Sequence, residues 1–178
     1  MSNSDIAVSV IICTYNNGSM LDRVLDCLAG QRAPEEIAWE VLVVANNCSD
    51  NTARVVEAHR AAARIPRLRI LDEPTQGLTP ARQRGVRETS GEWVVFVDDD
   101  CLLDASWLAH ALLFTGSNER CGALGGRVLP RWEPGADPLP AEVGWTLACQ
   151  DYGPVPVEVA SLVGAGLMLR RRAIDETG

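Results

Sequence analysis

The stretch Trp93-Val94-Val95-Phe96-Val97-Asp98-Asp99-Asp100-Cys101 runs five apolar, β-prone residues straight into three consecutive carboxylates. A short unbroken apolar run of this kind reads as a strand buried on both faces of a parallel sheet. Such sheets bind ligands outside the carboxyl ends of their strands. Three neighbouring carboxylates repel one another, and a divalent cation with oxygen preference offsets them best. Mg²⁺ usually shares its shell with substrate phosphates. In an extended chain Asp98 and Asp100 point to one side and Asp99 to the other. The plain alternative for the triplet is a solvated acidic turn.

Working back from this strand, the same plan repeats. Val8-Ser9-Val10-Ile11-Ile12-Cys13 is a strand that ends in the polar loop Thr14-Tyr15-Asn16-Asn17-Gly18. Ser19 is the expected N-cap of a helix whose stripe is Met20, Leu21, Val24, Leu25 and Leu28, stopped by Gly30. Val41 to Ala45 is a second strand, followed by Asn46-Asn47-Cys48-Ser49-Asp50, with Ser49 or Asp50 as cap and a helix over Thr52 to Arg64. Pro66 closes it. Arg67 to Leu71 reads as a third strand. Thr79 and Pro80 are the expected cap and first residue of a helix that carries Arg82, Arg84 and Arg87 and stops at Gly91. Beyond the triplet, Asp104 is the expected cap of a helix with Trp107, Leu108, Leu112 and Leu113.

Strand alternating with helix predicts an α/β fold: a Rossmann-like, open, mostly parallel sheet with helices on both faces. The loops that follow the strands then gather on one edge. Thr14 to Asn16, Asn46 and Asn47, and Asp98 to Asp100 should all line it, and that convergence is the argument for a site.

The remaining chain changes character. Gly122 to Leu129 reads as a further strand, and Pro130 to Pro140 as an irregular connection. Glu142 to Gln150 reads as a short helix with Trp145 and Leu147. Val159 to Leu169 is apolar and carries Gly164-Ala165-Gly166, where backbone should lie close to another segment or a ligand. A helix is expected to begin near Arg170-Arg171-Arg172-Ala173-Ile174.

The 178-residue length suits one domain with a real core. A net charge of -8 argues against a nucleic-acid surface, which wants a basic footprint. It does not argue against a phosphate-bearing small ligand if a metal mediates. The six cysteines have no metal-ligand spacing and suggest reduced thiols. The N-terminus lacks the pattern of a signal peptide, and no apolar run approaches the ~20 residues of a membrane span. Cytoplasmic placement is the expectation, with attachment at the periphery of a membrane left open. His59 and His110 fall in helices with no partner pattern. Trp132 and Trp145 flank the proline-rich connection, where packing is a commoner role for tryptophan than sugar stacking.

Five stretches in order carry a resemblance: VSVIICTYN (Val8 to Asn16), VLVVANNCSDNT (Val41 to Thr52), GLTPARQRG (Gly77 to Gly85), GEWVVFVDDD (Gly91 to Asp100) and GAGLMLRRRAIDETG (Gly164 to Gly178). Together they resemble the N-terminal part of inverting glycosyltransferase family two, whose fold is the GT-A nucleotide-diphospho-sugar fold. The resemblance implies that Thr14, Tyr15 and Asn16 cradle the nucleotide, and that the loop after the second strand contacts the base. The family often has acidic residues there, where this chain has Ala45 and Asn46. Asn46 could still accept a hydrogen bond from a base N–H. Arg82 would face the diphosphate, Asp99 the ribose, and Asp98 and Asp100 a bound Mg²⁺ or Mn²⁺; Asp98 also counts among the nucleotide-binding residues. The implied donor is a UDP- or GDP-type sugar, the acceptor a carbohydrate or lipid-linked hydroxyl, as in polysaccharide biosynthesis.

In such a division residues 1–129 bind the donor and 130–178 form the acceptor side of the same domain, incomplete at its C-terminal end. The general base for inversion is expected beyond Gly178, because Asp151 and Glu158 lie in no motif and Asp175 and Glu176 belong to the helix that precedes the expected segment. Exposed apolar surface on the acceptor side leaves a homo-oligomer open. Two rival readings remain: a catalytically inactive nucleotide-binding module, and a phosphatase-like hydrolase with Asp98 as nucleophile, which Cys101-Leu102 fits poorly.

Overall fold

A computed structural model of the chain describes residues 6–132, 134–135, 137, 140 and 147–177. The elements in order are β1 (Val8–Thr14), α1 (Gly18–Ala29), β2 (Trp39–Asn46), α2 (Thr52–Ala62), β3 (Leu68–Glu73), α3 (Leu78–Arg87), β4 (Trp93–Asp98), α4 (Trp107–Gly116), β5 (Ala123–Gly125), β6 (Leu167–Arg170) and α5 (Arg171–Thr177). They build one six-stranded sheet in the order β3-β2-β1-β4-β6-β5. The β1–β2, β1–β4 and β2–β3 pairs are parallel, and β6 runs antiparallel to both β4 and β5. The α/β reading with a mostly parallel sheet is therefore correct.

The two-sided burial expected of β4 is seen, and it decides how the layers form. Alternate residues of each central strand face opposite helices. Val8, Val10 and Ile12 of β1, with Val95 and Val97 of β4, pack against Leu21, Leu25 and Leu28 of α1, Val56 of α2 and Leu108 of α4. Ile11 of β1 and Val94 and Phe96 of β4 pack on the other face with Ala81 of α3, and Ile174 of α5 joins them. The apolar runs lack period-two alternation because both faces are covered.

Helix starts differ from the sequence expectation, each for a local reason. α1 begins at Gly18 rather than after Ser19, since the Gly18 N–H donates to Asp50 Oδ2 at 2.9 Å. A Cβ at Gly18 would stand 2.4 Å from Asn51 Oδ1, so the two helix starts touch. Asp50 also accepts from the Thr52 N–H at 3.0 Å, which sets α2 to begin at Thr52. α2 stops at Ala62, short of Arg64, with Ala63 in the left-handed region at φ 52. α3 begins at Leu78, ahead of Thr79 and Pro80. Pro80 is tolerated there because the first turn has no intrahelical use for its N–H. α4 begins at Trp107; Asp104 Oδ1 accepts from the N–H of Ser106, the residue just before the helix, at 2.9 Å.

The later segment departs further. The strand expected over 122–129 is only three residues long, with a separate bridge between Val128 and Gln150. Residues 167–170, read as the end of a glycine-bearing apolar stretch, form β6 and insert between β4 and β5. Of the helix expected over 142–150, residues 141–146, Trp145 included, lie outside the described residues, and 147–150 are not α-helical. Trp132 is 37% exposed. His59, for which no partner was expected, is buried with Nε2 2.8 Å from Asp22 Oδ1, tying α2 to α1.

One contact gives a stability test. An open helical glycine replaced by alanine gains about 1 kcal/mol. At Gly85 of α3 the new Cβ would meet Ile11 Cγ2 at 2.5 Å, and Ile11 is fully buried. Overpacking of that kind costs about 1–3 kcal/mol. Gly85→Ala is expected to lower the urea midpoint; a raised midpoint would show that α3 is not seated this closely on β1.

Candidate functional site

Strand order reverses at β1, which has β2 on one side and β4 on the other. The crevice beyond the carboxyl ends of β1 and β4 is the place where open sheets of this type bind ligands. Cys13 lies opposite Asp98 and Thr14 opposite Ala45, so the first loop and the aspartate triplet start level with each other.

The triplet does not continue as a strand. β4 ends at Asp98, and a turn follows in which the Cys101 N–H donates to the Asp98 carbonyl at 3.1 Å. The alternating geometry of an extended chain therefore applies only to Asp98. Its carboxylate faces the α3 side, where Arg82 Nη2 donates to Oδ1 at 3.2 Å. Asp99 turns to the first loop and accepts from Thr14 Oγ1 at 2.6 Å. Asp100 is exposed. The three carboxylates are thus parted: one to a guanidinium, one to a hydroxyl, and one, Asp100, at the exposed surface, where it accepts from the Cys101 thiol at 3.5 Å.

Arg82 is held on three sides. Its guanidinium lies over the Phe96 ring at 5.2 Å from the centroid, in addition to the Asp98 pair. On the third side is Gly164, where a Cβ would stand 2.8 Å from Arg82 Nη2. The glycine segment read from the sequence as a close approach of backbone does approach something, and the partner is this arginine. Arg84 instead pairs with Glu88 at 3.2 Å on the helix surface.

The loops after β1 and β2 are sewn together by side chains. Asn16, at φ 50, accepts through Oδ1 from the Ser49 N–H at 2.7 Å and the Asp50 N–H at 3.2 Å. Hydrogen bonds from the Thr52 hydroxyl and the Gly18 N–H hold the Asp50 carboxyl below the usual carboxylate range. Cys48 Sγ lies 3.4 Å from both the Asn16 nitrogen and the Thr14 carbonyl oxygen. All six cysteines are free thiols. Burial pushes the thiols of Cys13 and Cys101 up to about 12, so neither is a thiolate nucleophile at neutral pH.

Asn46 braces a turn. Its Nδ2 donates to the Glu73 carbonyl at 2.8 Å and the Thr75 carbonyl at 2.7 Å, and its Oδ1 accepts from the Gly77 N–H at 2.8 Å. Both donors are spent, the residue is 6% exposed, and its amide ties the end of β2 to the turn before α3. Its oxygen keeps a second lone pair, the group through which contact with a base was expected.

A cleft of about 450 Å³ opens beside these loops, lined by Thr14, Tyr15, Asn16, Asn46, Gln76 and Asp99, with Leu78 at its edge. Arg82, Asp98 and Asp100 stand outside that lining. Gln76 and Leu78 were not singled out in the sequence, since neither belongs to a charged cluster; the signal available was their position around Gly77. A hollow of about 480 Å³ at the other end of the sheet, against Trp39 and Arg64, has none of the strand-end loops.

The aspartates alone do not make a closed metal site. Among the described residues no three His, Cys, Asp or Glu side chains converge as a metal cluster. A set of one or two carboxylates, Asp98 and Asp100, is the set that Mg²⁺ or Mn²⁺ takes when substrate phosphates complete its shell. Asp151, weighed as a base, is turned to its own loop, accepting from the Gly153 N–H at 2.9 Å and lying 3.8 Å from Arg127. No helix among the described residues is long and apolar enough to cross a membrane.

Comparison with known proteins accords with this geometry. The chain is 33% identical over 121 residues to the glycosyltransferase AglE of Haloferax volcanii, a match covering 68% of this chain and 39% of AglE. Its fold superposes on residues 1–349 of TarS from S. aureus with a TM-score of 0.73 at 22% identity, covering 97% of this chain and 49% of that one. It superposes equally on the mannosyltransferase PcManGT of Pyrobaculum calidifontis, solved with GDP-Man and Mn²⁺, with a TM-score of 0.72 at 22% identity, covering 96% and 46%. The chain spans about half the length of these proteins or less. The family model described as Glycosyl transferase family 2 matches residues 9–178, and with an open sheet of GT-A type and its aspartates at the strand-order reversal, the chain belongs to that family.

Proposed function

We propose that the chain binds a nucleoside-diphosphate sugar, UDP- or GDP-linked, at the β1/β4 edge and transfers the sugar to an acceptor hydroxyl with inversion. The observation that carries this reading is the parting of the aspartate triplet, with Asp98 on Arg82 and Asp99 on Thr14, beside an open cleft. Residues 1–129 would hold the donor and 130–178 the acceptor. The GDP-Man and Mn²⁺ bound to PcManGT support both the donor class and the cation.

The chemistry follows from charge. Transfer leaves a nucleoside diphosphate, so negative charge gathers on the phosphates as the glycosidic bond breaks. Arg82 presents a forked donor suited to phosphate oxygens, and Phe96 and Gly164 limit where that fork can sit. A cation held by Asp98 and Asp100 would neutralise the diphosphate and stabilise the departing charge. Asp99, oriented by the Thr14 hydroxyl, would accept from a ribose hydroxyl. The phosphatase-like reading is weaker, since Asp98 serves as the counter-ion of Arg82, a poor state for a nucleophile.

Two outcomes are expected. UDP or GDP, titrated calorimetrically, should bind at least tenfold tighter with Mn²⁺ than with excess chelator. Asp100→Asn should remove most of that gain while leaving the circular dichroism unchanged, because the residue is exposed beyond the buried strand. Equal affinity with and without the cation would refute the metal role.

A further outcome concerns Gly164. The methyl of Gly164→Ala would displace the Arg82 fork. Hydrogen bonds to charged groups are worth about 1.5–3 kcal/mol, so the nucleotide affinity should fall roughly tenfold or more. Arg82→Ala should fall similarly, and the double variant should be no weaker than Arg82→Ala. Additive losses would mean that Gly164 acts independently of the arginine.

A further inference from the structure

The cleft has two apolar walls. Tyr15 and Leu78 are among the large hydrophobic residues left open to solvent, at 58% and 53% exposure, and both line this one cleft. An exposed ring and an exposed aliphatic side chain lining one cleft offer apolar surface to a flat heterocycle, which stacks without regard to its identity. Identity has to be read by hydrogen bonds at the rim.

The rim offers few free groups. The Asp99 carboxylate already accepts from Thr14, and it is the one carboxylate of the lining. Asn46 has both amide donors and its oxygen engaged in the turn before α3. Asn16 spends its oxygen on the neighbouring loop. Two lining amides have no hydrogen-bond partner among the described residues: Asn17, at the start of α1, and Gln76. Gln76 is exposed and sits on the turn that carries the Leu78 wall. The same turn is fixed from beneath by Asn46, whose oxygen takes the N–H of Gly77, the next residue, at 2.8 Å. Gly77 itself has φ 130, a conformation that L side chains rarely adopt and that glycine takes without strain. Gln76 is therefore an unspent donor and acceptor at the edge of the cleft, on a turn braced by Asn46.

We infer that Gln76 is the residue that reads the donor's base, which lies between Tyr15 and Leu78. This deepens the proposed function and rests on it. A primary amide presents one acceptor and one donor side by side. That pair matches the N3–H and O4 of uracil, and equally the N1–H and O6 of guanine. A carboxylate in its place presents two acceptors. It matches the adjacent N1–H and N2–H donors of guanine, and sets an oxygen against O4 of uracil.

The test is calorimetric titration of UDP, GDP and inorganic pyrophosphate, each with Mn²⁺, into the intact chain and into Gln76→Ala, Gln76→Glu and Asn17→Ala. Gln76→Ala should weaken both nucleotides at least fivefold and leave pyrophosphate within twofold. Gln76→Glu should move the GDP-to-UDP affinity ratio at least fivefold toward GDP. Gln76 is exposed, so these variants should fold, and circular dichroism will confirm it. A smaller shift in the ratio overturns the inference, as does equal weakening of pyrophosphate. A shift that appears in Asn17→Ala instead also overturns it, by assigning the reading to the first loop. If the unaltered chain binds neither nucleotide, the proposed function itself has failed.

Discussion

Three carboxylates at the end of one buried strand cannot stand together in a low-dielectric edge without partners, and much of this molecule is arranged around that constraint. Asp98 needs a cation, and α3 supplies Arg82 from one face of the sheet. Asp99 needs a donor, and β1 supplies the Thr14 hydroxyl from the neighbouring strand end. Asp100 escapes to water past the turn. The strand can be wholly apolar up to that point because the charges are dealt with immediately beyond it. Each partner comes from a separate element, so the triplet is stable only when β1, α3 and β4 are assembled.

The same economy governs the loops. Side chains of the first two strand-end loops satisfy backbone N–H groups of each other: Asn16 reaches to Ser49 and Asp50, and Asp50 returns to Gly18. Helix α1 and helix α2 therefore begin from one shared set of hydrogen bonds, where exposed polar backbone would otherwise be left to solvent. Asn46 does the same for the third loop. The edge becomes a rigid rim before any ligand arrives, which reduces the ordering that binding would otherwise require. Close backbone contact completes it, with Gly164 pressed on the guanidinium of Arg82.

The sequence was legible where a single chemical demand set the pattern. Apolar runs ending in polar loops gave away the strands, and a repeated strand–helix alternation gave the parallel sheet with helices on both faces. The residues Thr14, Tyr15, Asn16 and Asp99 were all expected at the edge and all line the cleft. Helix starts were less legible. Ser19, Thr79 and Asp104 are good local caps, but the helices begin at Gly18, Leu78 and Trp107, and at Gly18 the reason is a tertiary partner, the Asp50 carboxylate.

Residue type and order alone thus determined the fold class, the side of the sheet on which a site would form, and the aspartates at that edge. These follow from periodicity and from charge, which are properties of neighbours along the chain, whereas Arg82 was set apart from Arg84 and Arg87 only by the resemblance. Which carboxylate meets which partner was decided only in three dimensions, since Asp98 and Arg82, or Asp99 and Thr14, are 16 and 85 residues apart. So was the use of Asn46 as the brace of the turn before α3. So was the place of β6, four residues that lie antiparallel between β4 and β5. Hydrogen bonds and close packing depend on distance and angle, and nothing in the linear spacing of those residues carries either.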